Sequence, residues 1–444
     1  MESKREVFGS NLMAIFALAG SAIGLGNIWR FPYMVGQHGG AAFIIIYIVC
    51  TLLFSLPIFY CESIIGRKTG RSSIGAMRDL APGSRWALIG IFTVLGPLLI
   101  TSFYSVVGGW SFAYLLRSCF SSFGAMSHAE IGSMFAQFTG SVWGPVLAHT
   151  AFLLAAALII SAGVRRGIEA FTKYTLPPLM LLMVLLMAYS VSLPGARAGV
   201  EYLVKPDFSR LDAGSIAAAM GQSFFSLSLG IGTVLTYASY MAKKDNIIST
   251  GAWTAVFDLG FALIAGFVVM PAVFAAGLEP QAGPGLVFET LPFIFADMGA
   301  SAPVLSKVVT ITFFLSVLLA ALTSEISMYE VCTAYRVEER GMDRKKATLL
   351  VFFVAWTIGV ACAVFTKVFS FCDFVSSNIL MTLGALAFSI FVGWRMKKAA
   401  VEAELTNDGS LPGNRTVFKV FYFLVRYIVP IGIAIIFLSN FISL

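Results

Sequence analysis

Charge is scarce in this sequence: Asp, Glu, Lys and Arg make up 12% of its 444 residues, and histidine occurs 3 times, at His38, His128 and His149. A soluble globular chain carries about 25% charged residues. So little charge, with 58% hydrophobic residues and a mean hydropathy of +0.87, excludes that class. The histidines are far apart and lack ligand spacing, no Walker A sequence occurs, and no Ser-His-Asp arrangement stands out. No enzyme and no ATP-driven machine is signalled. The 6 cysteines (Cys50, Cys61, Cys119, Cys332, Cys362 and Cys372) have neither zinc-like nor redox spacing and read as small buried hydrophobes. The net charge of +7 sits in loops without the motif context of a nucleic-acid interface, so no nucleic-acid partner is expected.

What the sequence has in abundance is long apolar runs. A membrane-spanning helix needs about 20 mostly apolar residues. Eleven such segments occur, near 11–36, 41–66, 86–118, 144–163, 168–192, 214–241, 248–277, 303–335, 347–366, 369–394 and 417–442, numbered here as spans 1 to 11. The expected fold is an all-α polytopic membrane protein with the lipid bilayer as its solvent. The first run is too long for a removable signal peptide, lacks a small-residue cleavage site and leads into further spans, so it is expected to be an anchor.

Basic residues set the orientation, because cytoplasmic loops retain Lys and Arg. Lys4 and Arg5 precede span 1, and every even-numbered span is followed by basic residues: Arg67, Lys68, Arg71, Arg78 and Arg85; Arg165 and Arg166; Lys243 and Lys244; Arg336, Arg340, Arg344, Lys345 and Lys346; Arg395, Lys397, Lys398 and Arg415. The N-terminus is therefore expected inside and the C-terminus outside. Three outer connections are long, 119–143, 193–213 and 278–302; the last carries Gly283-Pro284-Gly285 and the apolar piece Leu286 to Phe295, suited to folding back as a cap.

Two spans are interrupted by similar triplets, Gly24-Leu25-Gly26 in span 1 and Gly230-Ile231-Gly232 in span 6. Paired glycines let the backbone leave helical geometry, and in lipid an unwound backbone survives only where protein or a polar cavity surrounds it. Because the triplets open spans 1 and 6, the chain divides into a first five-helix repeat (1–192), an extracellular loop (193–213), a second repeat (214–398), a cytoplasmic linker (399–416) and an accessory eleventh helix (417–444). An odd number of spans per repeat makes the two repeats inverted. Inverted repeats with broken helices are an architecture of secondary transporters, with the site near mid-membrane.

Several residues around the breaks can carry chemistry. The free amides after the first break suit a carboxylate, and the carbonyls before it, with Asn27, suit a hard cation. Small residues that merely let two helices pack closely are the plainer alternative for one isolated glycine pair. Span 6 combines Ser226 and Ser228 with Phe225 and Ile231, which can wall an apolar group; serines that bond only to their own helix are the alternative. In span 8, Ala320, Thr323 and Ser324 share a helical face that can form half of an alkali-cation site or simply back-bond to the helix. Ionisable residues inside spans are costly and mark functional candidates. They are Glu62, Asp258, Glu325, Glu330 and Asp373; Asp258 needs a cation or a proton, Arg30 needs an acid for which Asp373 is placed, and static ion pairs are expected for Glu325 and Glu330.

The run Ala22-Ile23-Gly24-Leu25-Gly26-Asn27 through Arg30-Phe31-Pro32, then Gly39-Gly40, the span 6 stretch and the Ala320-Leu322-Thr323-Ser324 cluster together resemble the neurotransmitter:sodium symporter family over spans 1–10. Bacterial members of that family import amino acids on the leucine-transporter fold. The resemblance implies a place in a bacterial plasma membrane and two bound Na+ ions. A first sodium site would use the Ala22 carbonyl, Asn27, Ser226, Asp258 and the substrate carboxylate. A second would use the Gly20, Ile23 and Ala320 carbonyls with the Thr323 and Ser324 hydroxyls.

The same resemblance implies that the substrate carboxylate meets the Leu25 and Gly26 amides and the Tyr104 hydroxyl, while its ammonium meets carbonyls near Ala22, Phe225 and Ser228. Ile100, Phe225, Ile231, Ser324 and Met328 would line the side-chain pocket, with Ser21 and Ser226 completing the set. Arg30 with Asp373 resembles an outer gate, and Arg5, Tyr240 and Glu338 an inner one. Asp258 stands where many members have asparagine, which implies chloride independence. A twelfth span of many members is absent, which leaves the oligomeric state open. The function expected is sodium-coupled symport of a neutral hydrophobic or aromatic L-amino acid by alternating access. Its alternatives are a proton-coupled transporter using Glu62 or Asp258, and a non-transporting amino-acid receptor on the same fold.

Overall fold

A computed structural model describes residues 6–121, 123, 126–277 and 286–439. Among these, nine helices are long and apolar enough to cross a membrane: Ala41–Thr69, Ala87–Phe120, Trp143–Ser161, Val164–Ser192, Ile247–Ala275, Pro303–Arg340, Arg344–Val364, Thr366–Arg395 and Asn414–Leu438. A tenth is the pair Asn11–Ala22 and Gly26–Gln37, bent by 51° at its break. The remaining expected span, 214–241, is split into Ala213–Ser226 and Thr233–Ala238, and neither piece is long enough to cross alone. Most observed ends lie within three residues of the sequence-derived ones, because the apolar runs stop where basic or turn residues begin. Spans 5 and 8 run farther, from Val164 and to Arg340, carrying charged residues beyond the apolar run.

Spans 1 and 6 are held inside the bundle. Span 1 packs against spans 5, 7 and 8; the second half of span 6 packs on span 2; and span 8 lies along span 3. Backbone contact at Gly230 locks the second break to span 10: a Cβ there would lie 1.9 Å from the Met381 carbonyl oxygen, and its φ of +79° is one that other residues rarely adopt. Gly384 meets Gly230 from the other side, where a Cβ would stand 1.8 Å from the Gly230 carbonyl oxygen. Two glycines thus let a non-helical stretch and a helix touch without side chains between them.

The connections at both ends of the bundle are more structured than their loop-like sequences suggest. In the connection 278–302, residues 278–285, including Gly283-Pro284-Gly285, lie outside the described residues; Leu286–Thr290 and Leu291–Ser301 are helical. Phe288 is fully buried there, with ring centroids 5.8 Å from Trp110, 5.4 Å from Tyr114 and 5.8 Å from Phe135. The segment expected to be a plain linker contains the helix Lys398–Thr406, and its Val401 and Leu405 are fully buried. Arg67 holds it in place by donating to the Glu404 carboxylate at 3.1 Å, to Asn407 Oδ1 at 2.9 Å, and to the Asp245 and Glu404 carbonyls. Two apolar positions in so short a segment make a weak periodic signal, which is why the helix is hard to see in the sequence.

Replacing Gly230 by alanine is expected to cost about 2–5 kcal/mol, the sum of a left-handed backbone penalty and overpacking against the Met381 carbonyl. Thermal unfolding of the detergent-purified protein measures it; an unchanged midpoint contradicts the close approach of spans 6 and 10.

Candidate functional site

The first break begins where Ile23 turns to extended geometry (φ −72°, ψ 108°) after the helix Asn11–Ala22. The amides that lose their helical acceptors find others: the Gly24 N–H donates to Asn27 Oδ1 at 3.0 Å and the Leu25 N–H to the Tyr104 hydroxyl at 3.0 Å. Gly24 is needed for proximity, since a Cβ there would fall 2.2 Å from Ser324 Oγ and 2.8 Å from the Tyr104 hydroxyl. The chain resumes as a π-helical turn, Gly26–Arg30, and the Gly26 carbonyl accepts from the Gln222 side chain at 3.1 Å.

The second break runs from Leu227 to Gly232, with positive φ at Ser228 (52°), Gly230 (79°) and Gly232 (74°). Its free amides converge on a single buried carboxylate. Glu62 accepts from the Gly230 N–H at 2.7 Å and from the Leu235 N–H at 3.2 Å. A carboxylate at the N-terminus of the half-helix Thr233–Ala238 both pairs with orphaned donors and complements the helix dipole. Glu62, an intramembrane acid conspicuous in the sequence, is therefore the cap of the second break. Its pairing across spans has no signal in sequence, since 168 residues separate Glu62 from Gly230.

Two clusters of oxygen atoms flank the breaks. In the first, Asn27 Nδ2 donates to Ser226 Oγ at 3.1 Å and to Asp258 Oδ1 at 2.7 Å, Ser226 Oγ donates to Asp258 Oδ1 at 2.7 Å, and the Tyr47 hydroxyl reaches Asp258 Oδ2 at 3.4 Å. Asp258 is fully buried, and no basic side chain among the described residues acts on it. In the second cluster, the Thr323 hydroxyl donates to the carbonyls of Ile23 (3.1 Å) and Ala320 (2.9 Å), and the Ser324 hydroxyl to those of Ser21 (3.0 Å) and Ile23 (3.1 Å). Gly20 adjoins it; a Cβ there would lie 3.6 Å from the Thr323 Cβ. Hard oxygens in this density, one cluster with a carboxylate, suit alkali cations.

Between the clusters lies a small cavity of ≈ 20 Å³ lined by Ala22, Gly24, Gly26, Ile100, Tyr104, Phe225, Ser226, Ser228, Ile231, Ser324, Met328 and Met381. None of these side chains is charged. Nearly all of the residues named from sequence as pocket-lining meet here. Leu25 contributes its amide to Tyr104, while the Ser21 hydroxyl turns away to Ser327 Oγ at 2.8 Å and its carbonyl serves Ser324. Met381 is an addition that sequence reasoning misses: it comes from span 10, which carries no motif pointing to the breaks.

Of the two expected gates, the outer pair is not in direct contact and the inner one is only partly within the described residues. Arg30 makes no direct ion pair with Asp373: its guanidinium stacks on the Phe225 ring at 4.6 Å, above the cavity, and Asp373 acts on it through space while accepting from Ser377 Oγ at 2.9 Å. At the expected inner gate, the Tyr240 hydroxyl donates to Glu330 at 2.7 Å, Glu338 accepts from the Ser72 N–H at 2.6 Å, and Arg5 lies outside the described residues. Glu330 has a static partner, Arg344, at 2.6 Å. Glu325 does not: both carboxyl oxygens are buried without a hydrogen-bond partner among the described residues, so the static pair expected for it is absent.

The family model for the sodium:neurotransmitter symporter family matches residues 5–131 and 134–444. The chain belongs to that family. It is 36% identical over 449 residues to the uncharacterized sodium-dependent transporter YhdH of Bacillus subtilis, spanning 99% of this chain and 98% of that protein. It is 32% identical over 459 residues to an uncharacterized sodium-dependent transporter of Haemophilus influenzae, covering 98% of each. The crystal structure of MhsT in complex with L-phenylalanine superposes with a TM-score of 0.90 at 36% identity, over 98% of this chain and 100% of that one. The protein is thus a multi-pass, sodium-dependent symporter of the leucine-transporter fold, and not an enzyme.

Glu62→Leu removes the acceptor of two buried amides, each worth about 1–3 kcal/mol when orphaned, so the variant is expected to lose about 2–6 kcal/mol of stability. Glu62→Gln, which keeps one acceptor oxygen, should lose less. Equal thermal midpoints for the Leu variant and the parent would refute the capping role.

Proposed function

We propose that the protein carries a neutral hydrophobic or aromatic L-amino acid into the cell with two sodium ions and without chloride. The observation that supports this most strongly is the meeting of both helix breaks at one cavity whose walls are backbone, hydroxyl and apolar groups, with no charged side chain. Such a site has donors for a carboxylate, acceptors for an ammonium, and nothing to match a charged substrate side chain. That MhsT, so similar in fold and sequence, has L-phenylalanine bound favours an aromatic substrate here.

The polar groups are presently paired with one another, and binding exchanges those pairs for ligand. Na+ at the first cluster takes the place of the hydrogen bonds among Asn27, Ser226 and Asp258; at the second it takes oxygens that Thr323 and Ser324 now share with Ile23 and Ala320. The substrate carboxylate binds the Leu25 and Gly26 amides and the Tyr104 hydroxyl beside the first ion, so ion and substrate stabilise each other. A cavity of ≈ 20 Å³ has room for about one water, so an amino-acid side chain enters only as the walls part. Met328 and Met381, flexible and unbranched, are the walls best able to move. Phe225 and the Arg30 stacked on it cover the substrate from outside, with Asp373 drawn in as that side closes, and inward release follows as the inner half of span 1 moves away from Glu338.

Asp258 supplies a fixed negative charge at the first ion, which removes the need for a bound anion. Glu62, the other acid considered for proton coupling, is occupied as a backbone cap. Both features favour sodium over a proton as the coupling ion.

Purified protein in liposomes is expected to accumulate L-phenylalanine under an inward sodium gradient, with competition from leucine, methionine, tyrosine or tryptophan and none from glutamate or lysine. Replacing chloride by gluconate should leave the rate unchanged. Uptake driven by a pH gradient without sodium, or lost in gluconate, contradicts the proposal. Asp258→Asn should raise the sodium concentration for half-maximal uptake about tenfold, the equivalent of losing about 1.4 kcal/mol of charge stabilisation.

A further inference from the structure

A second concavity, of ≈ 480 Å³, shares no lining residue with the first and lies on the membrane-facing side of spans 4 and 5, at the end bearing the basic connections. Its walls are Leu158, Ile159, Ala162, Gly167, Ala170, Phe171, Tyr174 and Thr175, and its one charged lining residue is Arg166. Leu158 is 63% exposed and Tyr174 71% exposed, so the apolar surface continues into the bilayer. Arg166 is exposed and makes no ion pair among the described residues. The charges around it are accounted for. Arg165 donates to the Val7 carbonyl at 2.7 Å, Glu6 accepts from the Val164 and Arg165 amides at 2.5 and 3.3 Å, Glu169 accepts from the Gly9 N–H at 2.9 Å, and Lys173 lies over the Tyr174 ring at 5.4 Å.

From this geometry we infer that the groove is a binding site for one anionic phospholipid, its acyl chain along Leu158, Ala162, Ala170 and Phe171 and its phosphate on Arg166. An uncompensated guanidinium at the mouth of an apolar groove that opens to lipid matches the two-part chemistry of such a molecule, and no carboxylate lines the groove to repel it. Tyr174, amphipathic and exposed, lies about two turns farther along span 5 than Arg166 and walls the far end of the groove.

The site is placed to act on transport. Its floor is a backbone contact, where a Cβ on Gly167 would meet the Ile159 carbonyl oxygen at 2.0 Å, so spans 4 and 5 touch directly beneath the lipid. The same start of span 5, a π-helical turn at Val164–Glu169 after Gly163 (φ +98°), holds residues 6–9 of the chain. One turn farther, the Thr172 methyl would meet a Cβ on Gly20 at 2.6 Å, beside the second oxygen cluster. A lipid in the groove therefore braces the inner end of span 5 against span 4 and favours the conformation with the N-terminal segment docked.

Native mass spectrometry of the detergent-solubilised full chain, titrated with phosphatidylglycerol or phosphatidylcholine, tests this, with thermal midpoints measured in parallel. The expected result is preferential retention of one phosphatidylglycerol with a raised midpoint, weakened about fivefold by Arg166→Ala. Ala170→Phe, which fills the groove and keeps the charge, should weaken it too, whereas Arg85→Ala, on an exposed basic loop elsewhere, should not. Inorganic phosphate at millimolar concentration should not displace the lipid. Equal retention of both lipids, equal losses in the Arg85 and Arg166 variants, unaltered binding in Ala170→Phe, or displacement by phosphate each overturns the assignment.

Discussion

Every backbone amide and carbonyl inside a bilayer must find a partner within the protein, because each one left bare costs several kcal/mol. Two broken helices in one bundle raise that demand at two places, and the rest of the interior is arranged to meet it. Glu62 from span 2 serves the amides of the second break, Tyr104 from span 3 serves Leu25, Gln222 from span 6 serves Gly26, and Thr323 and Ser324 from span 8 serve the carbonyls of Ser21 and Ile23. Spans 2, 3, 6 and 8 are thereby tied to the breaks by specific hydrogen bonds. Glycine at 24 leaves room for Tyr104 and Ser324, and glycines 230 and 384 let the second break touch span 10.

The same arrangement makes the site exchangeable. Several of the polar groups beside the cavity are paired with one another, and the cluster of Asn27, Ser226 and Asp258 holds together by hydrogen bonds of 2.7–3.1 Å. On the proposed function, a cation among these oxygens, or a carboxylate at the Leu25 amide, would replace hydrogen bonds that already exist. An alternating-access carrier requires two arrangements close in stability, and exchange of one set of hydrogen bonds for another is a means of keeping them so.

Much of this architecture is legible in the amino-acid sequence. Long apolar runs bounded by basic loops locate the spans, and the two glycine triplets locate the breaks, because glycine in a membrane helix has a local cost that only a local purpose offsets. Asp258 is conspicuous for having no basic neighbour. What the sequence hides depends on contacts between distant segments: the cap that Glu62 makes across 168 residues, the Met381 wall from a span without a motif, and the stacking of Arg30 on Phe225 in place of an ion pair with Asp373. The helix within 399–416 is hidden for the opposite reason, too short an amphipathic pattern held by one buried arginine. Glu325, expected to be paired, has no hydrogen-bond partner among the described residues, so the rarity of intramembrane acids does not by itself imply pairing.

The central claim is that two breaks form one site in which sodium and an amino acid share ligands. Equilibrium binding of L-phenylalanine to the purified protein across a sodium titration measures that coupling directly, since shared ligands make each species raise the affinity of the other by the same factor. The account predicts that phenylalanine affinity climbs steeply with sodium, with a Hill slope above one for the ion, and vanishes when potassium replaces it. Phenylalanine affinity independent of sodium would contradict it.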